Sequence, residues 1–141
     1  MRAENVKDAI FKGECISMKQ ILLLKCGELI LKGLNRGKFE EKLCVTLRRR
    51  LKNVGEYDVR CSQSTVYVEP KGDTPIEPAI EVCQKVFGVV SVCLMAVCEK
   101  DMDSIFNTIE EYLGDDLEAA KSFKVESKRS DKRFPLNSIQ L

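Results

Sequence analysis

The chain lacks histidine and tryptophan altogether, and it has only four prolines among its 141 residues. Without histidine, the Ser-His and Cys-His pairs that activate a nucleophile are excluded, which leaves unpartnered carboxylates as general-base candidates. A long apolar run is also absent, since the run at residues 21–24 is far shorter than the roughly 20 residues of a membrane span. The sequence therefore predicts neither a triad hydrolase nor a membrane partner.

The seven cysteines include no C-x-x-C pair, which disfavours a zinc site. Their odd number, without a secretory signal, disfavours a disulfide framework and favours a reducing, cytoplasmic compartment. Charged residues interrupt every apolar stretch in residues 1–17, so these residues form no signal peptide. We interpret them as a loose N-terminal extension, with Met1 and Met18 as alternative start sites.

Apolar periodicity predicts one full domain of the α+β class over residues 18–99. The predicted elements are a strand at 21–24, a helix from Asn35 to about Gly55, strands at 57–62 and 65–69, a helix from an N-cap at Thr74 to Gly88, and a strand at 89–98. The first and last strands are continuously apolar, so we expect both of their faces to be buried. The order β-α-β-β-α-β is that of a ferredoxin-like domain, a fold that hosts many functions.

Residues 100–141 predict the beginning of a second domain. The pattern indicates a helix from Met102 to Gly114, a strand from Ser122 to Arg129, and a further helix from Phe134 that is cut at Leu141. A single strand with no following partner buries little surface, so we expect this domain to be incomplete in the 141 residues.

The net charge of +1 conceals two basic segments. Residues 32–60 hold nine Lys or Arg against four acidic residues, whereas residues 69–120 hold three against twelve. Positive charge returns in the segment 124–133. Two basic segments on an otherwise acidic chain predict a polyanion-binding surface, although a charge run on a helix is also typical of a merely solvated face.

Two of these basic stretches invite comparison with phosphate-binding elements. The stretch 33–39 has one residue too few between its glycines for a nucleotide P-loop, and Phe39 stands where Ser or Thr would hold magnesium. The stretch 128–135 delivers two cations on each side of a turn before an aromatic residue and a proline, which predicts phosphate contacts from both sides of that turn.

Four motifs in register resemble the N-terminal part of ThiI-type tRNA sulfurtransferases, the 4-thiouridine synthetases. The motifs lie at residues 24–39, 86–89, 123–125 and 128–135. The resemblance implies a ferredoxin-like domain at 18–99 followed by a THUMP domain that begins at 100–141, which together bind the acceptor region and 3′ end of tRNA. In that family a C-terminal PP-loop domain uses ATP and magnesium to adenylate a tRNA uridine, a catalytic cysteine transfers sulfur, and the sulfur also serves thiamine thiazole synthesis.

The resemblance also implies which residues contact RNA. These are Lys32, Asn35 and Arg36 in the first domain, and Lys128, Arg129, Lys132 and Arg133 in the second. The 141 residues contain no Ser-Gly-Gly-x-Asp-Ser loop, and none of their cysteines matches the catalytic one. We therefore expect no catalytic residue, metal or cofactor in this chain, and we expect activity to require a PP-loop domain, which a second chain could carry.

Two alternatives stay open on the sequence alone. The chain could be a regulatory or assembly module, since an unpaired strand can pair with another copy to form a homodimer. It could also be the N-terminal part of another THUMP-containing tRNA-modifying enzyme, such as a methyltransferase or a deaminase.

Overall fold

The computed structural model describes residues 18–27, 35–62, 65–128 and 132–136. The described residues up to Val97 belong to one compact unit, and those from Cys98 onward belong to another. Residues 1–17, interpreted above as an extension, lie outside the described residues. The assignment of residues 100–141 to an incomplete THUMP domain stays a prediction.

The described residues of the first unit form a β-α-β-β-α-β fold. Its elements are β1 (Gln20–Cys26), α1 (Arg36–Leu51), β2 (Tyr57–Ser62), β3 (Thr65–Pro70), α2 (Glu77–Gln84) and β4 (Val89–Ala96). The strands pair in an antiparallel sheet with the order β2-β3-β1-β4. This arrangement confirms the predicted ferredoxin-like fold and its α+β class.

The core lies between one face of the sheet and the two helices. Leu22 and Leu24 of β1 are fully buried and stand opposite Val68 and Val66 of β3. Both helices contribute buried side chains to the same cluster, namely Leu43, Cys44, Leu47 and Leu51 from α1 and Ala79, Ile80 and Cys83 from α2. The two helices therefore cover the same face of the sheet.

The prediction that β1 and β4 are buried on both faces was wrong. Ile21 and Leu23, which alternate with the buried leucines of β1, are half-buried. In β4, Val90 is 72% exposed and Met95 is 40% exposed. The physical reason is that the helices shield a single face, so the opposite face of an antiparallel sheet stays partly solvated even where its residues are apolar.

The predicted N-cap at Thr74 was also wrong. Helix α2 begins at Glu77, and its cap residue is Ile76, which makes no side-chain cap hydrogen bond. Instead, the Thr74 amide donates to the carbonyl of Lys71 at 3.2 Å, and the Pro75 carbonyl accepts a bond from the Tyr57 hydroxyl. Tertiary contacts thus hold this segment as a turn and override its local capping signal.

The second unit contains α3 (Met102–Ala119), which is longer than predicted. The Asp101 side chain accepts a hydrogen bond from the Ser104 amide at 2.8 Å and caps the helix start. Gly114 lies inside the helix rather than at its end, because its backbone is not in the left-handed conformation that ends a helix. None of the helices in the described ranges has both the length and the apolar character of a membrane span.

The strand predicted from Ser122 to Arg129 was wrong for the residues that the structure describes. Residues 122–128 have no regular secondary structure, and Phe123 and Val125 are 65% and 73% exposed. An alternating pattern makes a strand only where a neighbouring strand supplies hydrogen bonds. The helix predicted from Phe134 lies mostly outside the described residues.

Replacing Gly55 with alanine should destabilise the first unit. An added Cβ would lie 2.5 Å from Cγ2 of Thr74 and 2.9 Å from the ring of Tyr57, whose hydroxyl is bonded to Pro75. We expect a loss of about 1–3 kcal/mol in the free energy of unfolding, measured by urea denaturation. The control is Gly37→Ala in α1, where the added Cβ meets nothing within 4 Å and should stabilise by up to about 1 kcal/mol. Equal effects at the two sites would contradict the close packing at Gly55.

Candidate nucleic-acid interface

Helix α1 carries the core on one face and cations on the opposite face. Its buried residues are Leu43, Cys44, Leu47 and Leu51. At 3.6 residues per turn, the spacing i, i+4, i+11, i+14 returns to one line on the far side of the helix. That line holds Lys38, Lys42, Arg49 and Lys52, all exposed, with the exposed Val45 between them, and we call the four cations the α1 stripe. At 1.5 Å per residue it extends over roughly 21 Å.

The charges of the α1 stripe have no ion-pair partner in the described part of the chain. The helix has two acidic residues, Glu40 and Glu41, and Glu40 is already bonded to Nε of Arg36 at 2.9 Å. Of the stripe residues, Arg49 lies in the last turn of the helix, where its charge complements the negative end of the helix macrodipole. The stripe is therefore a row of solvated positive charge that is available to phosphate groups.

The two other arginines of the last turn fasten the helix to its neighbours. Arg48 donates from Nη2 to the carbonyl of Val59 in β2 at 2.6 Å. Arg50 donates from Nη1 to the carbonyl of Lys85, directly after α2, at 3.1 Å. The run Arg48-Arg49-Arg50 is therefore not a uniform rim, since two of its guanidinium groups bind backbone and only that of Arg49 belongs to the stripe.

The candidate RNA contacts of the first domain lie at the start of α1. Asn35 is the N-cap residue of α1 and is exposed, although its side chain makes no cap hydrogen bond. Arg36 is the first helical residue, and its ion pair with Glu40 fixes the direction of its guanidinium group. Lys32 lies outside the described residues.

In the second unit, Lys128, Lys132 and Arg133 are exposed. Lys132 and Arg133 lie in a turn, and Phe134 next to them is partly buried. Arg129 lies outside the described residues. The structure thus places three of the four predicted cations of this unit at its surface, and their role in binding RNA stays a prediction.

Four cysteines of the first unit are poorly suited to nucleophilic chemistry. Burial raises the pKa of the Cys83 thiol to about 12. Burial, with the nearby Glu40 and Cys44, raises the pKa of Cys61 to about 11. Burial also raises the pKa values of Cys26 and Cys44. Because the thiolate is the nucleophile, these four groups are unreactive near neutral pH.

Metal binding finds no support in the described ranges, which hold no group of three or more ligating side chains in a metal-binding arrangement. The outward alignment of Lys38 and Lys42 with Arg49 and Lys52 was not predicted from the sequence. The signal was present in the sequence, since the same periodicity that identifies the apolar face of α1 places these cations opposite it.

Residues 21–93, slightly more than half of the chain, match the family model described as the ThiI ferredoxin-like domain. Two curated relatives bear the name "Probable tRNA sulfurtransferase". The protein from Acetivibrio thermocellus is 36% identical over 127 residues, and that from Thermoanaerobacter sp. strain X514 is 40% identical over 124 residues. Each match covers 88% of this chain but 32% of the relative. The chain thus spans about a third of the length of these relatives.

Two solved structures resemble the fold. One is a crystal structure of a 4-thiouridine synthetase–RNA complex with bound ATP, with a TM-score of 0.61 and 20% identity over 86% of this chain and 30% of that chain. The other is PH1313 from Pyrococcus horikoshii Ot3, with a TM-score of 0.64 and 22% identity over 86% of this chain and 41% of that chain. At this level of identity the likeness supports the fold alone.

Proposed function

The chain belongs to the ThiI family, and from this membership we propose that it is the tRNA-binding N-terminal region of a tRNA 4-thiouridine synthetase. The sulfurtransferase relatives match it over 88% of its length, which favours this function over a THUMP-containing methyltransferase or deaminase. The tRNA acceptor region and its 3′ end are the proposed ligand.

The observation that carries this proposal is the α1 stripe. Four solvated cations in a row of roughly 21 Å match the row of phosphate charges along an RNA backbone. Each phosphate that they neutralise releases a counterion, which favours binding. Contacts of this kind position an RNA without reading its sequence. Selectivity would then come from the shape of the acceptor helix and from its single-stranded end.

The other proposed RNA contacts are those implied by the family resemblance. They are Lys32, Asn35 and Arg36 beside the start of α1, and Lys128, Arg129, Lys132 and Arg133 in the proposed THUMP segment. Five of the seven are in the described ranges, and all five are exposed. Exposure is necessary for a phosphate contact, and the binding assay below tests whether these residues make one.

We propose that the chemistry requires a PP-loop domain with ATP and magnesium, supplied by another segment or a second chain. The 141 residues contain no PP-loop motif, and the raised pKa values of four cysteines disfavour them as sulfur carriers. For the whole protein we propose two activities, thiolation of tRNA and sulfur transfer for thiamine thiazole, and a cytoplasmic location.

A second candidate function is assembly through strand pairing, which one specific observation favours. In the described part of the chain, strand β4 forms an edge of the sheet. Its sequence VVSVCLMA contains no charged residue and no proline, the residue types that usually prevent an exposed edge strand from pairing with another chain. The opposite edge strand, β2, has its Val59 carbonyl bound by Arg48. Light scattering tests this function, since a homodimer that forms without RNA would support it and a monomer at high concentration would contradict it.

The proposed function predicts tRNA binding that depends on the 3′ end and on salt. Fluorescence anisotropy should report weaker binding when the 3′ end is removed, when salt is raised, and in the variant Lys128→Ala/Arg129→Ala. The matched control is Lys71→Ala/Lys121→Ala, which removes two exposed cations from outside the proposed surface. No binding by the unmodified chain at low salt would overturn the proposal.

A further inference from the structure

Phe87 is the most exposed large apolar residue of the described chain, at 90%. It lies in the short turn between α2 and β4, directly after Val86, which is buried in the core. Isolated exposed apolar residues are common in soluble proteins, so exposure alone assigns no function. The surroundings of this ring are what distinguish it.

The backbone on both sides of Phe87 is fixed. The Val86 amide donates to the Cys83 carbonyl at 3.2 Å, and the Val89 amide donates to the Val86 carbonyl at 3.2 Å. Gly88 has φ of 97°, a conformation that favours glycine, and its carbonyl accepts a bond from the Gly27 amide at 3.3 Å. The ring is therefore presented to solvent by a turn that is anchored to the core and to β1.

Two cations lie at the backbone of the same turn, within two residues of Phe87 along the chain or bonded to it there. The Arg50 guanidinium binds the carbonyl of Lys85, two residues before Phe87, and uses only one of its five N–H donors in that bond. The Lys85 side chain is 74% exposed and only distantly paired, with Glu81 at 3.8 Å. Arg50 also directly follows Arg49 of the α1 stripe. An exposed aromatic ring on an anchored turn that also carries cations is the combination with which proteins bind single-stranded nucleic acid.

We propose that Phe87 is a stacking platform for an unpaired base of the bound RNA, with Arg50 and Lys85 facing the adjacent phosphates. This inference rests on the proposed function, and it assigns the single-stranded part of the RNA to the turn between α2 and β4. A docking site for another protein is disfavoured because the neighbours named here are charged, whereas the cores of protein interfaces are depleted in charge. Stacking is tolerant of base identity, so this platform would recognise an unpaired nucleotide without selecting its sequence.

The absence of tryptophan from the sequence makes a direct test possible. In Phe87→Trp the indole is unique, and a stacked base should quench its fluorescence when a single-stranded oligoribonucleotide saturates the protein. An oligomer of equal length and charge without bases should not quench it. The matched control is Phe106→Trp in α3, a residue that is 60% exposed and should show no quenching. If the Phe87→Trp indole is not quenched when anisotropy shows saturation, or is quenched equally by the base-free oligomer, the proposal is overturned.

Affinity gives a second readout that separates this proposal from the function on which it rests. Phe87→Leu keeps an apolar side chain but removes the ring, and it should weaken single-strand binding by roughly 5- to 150-fold while leaving binding to a blunt RNA duplex unchanged. An unchanged single-strand affinity in Phe87→Leu would overturn the stacking platform alone. If Phe87 instead binds a protein partner, the substitution should change neither the single-strand nor the duplex affinity. Failure of the unmodified chain to bind either RNA would overturn the proposed function itself.

Discussion

Replacing the four cations of the α1 stripe with glutamine should strongly lower the affinity of the chain for tRNA and weaken its dependence on salt. Each lost phosphate contact removes the release of about one counterion. Without Lys38, Lys42, Arg49 and Lys52, the slope of log K for tRNA against log salt concentration should fall in magnitude by about 3 to 4. Between 50 and 200 mM salt, the part of the slope that these four cations contribute corresponds to a roughly 100-fold change in the tRNA affinity of the unmodified chain. Anisotropy titrations at four salt concentrations measure it.

Matched pairs of substitutions separate the alignment of these cations from their number. Lys38→Gln/Lys42→Gln and Arg49→Gln/Lys52→Gln each remove two charges of the stripe, and Lys71→Gln/Lys121→Gln removes two exposed charges elsewhere. We expect the stripe pairs to lower the slope by about 2 units and the control pair to have little effect. The fold should be unchanged in all three variants. The stripe lies opposite the buried face of α1, and Lys71 and Lys121 are exposed. An equal effect of the control pair would show that net charge, rather than the stripe, attracts the RNA.

The fold was predictable from the sequence where burial imposes a period. The apolar residues of α1 recur every four positions, and the residues of β2 alternate, so the element types and their order were correct in the first unit. The errors lie where a local signal does not decide the backbone. Thr74 failed as a cap because its segment is held by a turn bond to Lys71 and a tertiary bond from Tyr57, and Gly114 failed as a helix end because its backbone is not left-handed.

The candidate site was predictable in its charge but not in its geometry. Sequence alone located the basic residues of α1, yet it could not distinguish Arg48 and Arg50, which bind carbonyls 11 and 35 residues away, from Arg49, which does not. The exposure of Phe87 could not be predicted from the sequence either, because an apolar residue next to the apolar Val86 is expected to be buried with it. Local patterns specify which face a helix buries, whereas long-range hydrogen bonds decide which charges remain available to a ligand.

The Cys83 thiol should make the stability of the first unit fall at alkaline pH. This side chain is fully buried in α2, and its pKa is raised from the ordinary 9.0 to about 12 by burial alone. Above pH 9 the unfolded chain loses the thiol proton while the folded chain keeps it, so the folded state binds more protons. The free energy of unfolding should therefore decline with rising pH, by up to about 1.4 kcal/mol per pH unit between pH 9 and 12, and this group contributes nothing to the pH dependence below pH 9.

The variant Cys83→Ala isolates this effect from the other groups that titrate at high pH. Lysine and tyrosine side chains ionise in the same range in both proteins, so their contributions cancel in the difference between the two stability curves, except for a small share from Tyr57. Burial and Glu77 raise the pKa of Tyr57 most, and Cys83 adds to this rise. Urea denaturation at pH 8, 9, 10 and 11 should show the unmodified protein losing roughly 2 to 3 kcal/mol more than the variant across this range. Parallel curves would show that Cys83 ionises as readily in the folded state as in the unfolded one, and the conclusion that this thiol is buried and unreactive would then be wrong. A difference of the expected sign would instead restrict any sulfur chemistry to cysteines that the folded chain leaves free to ionise.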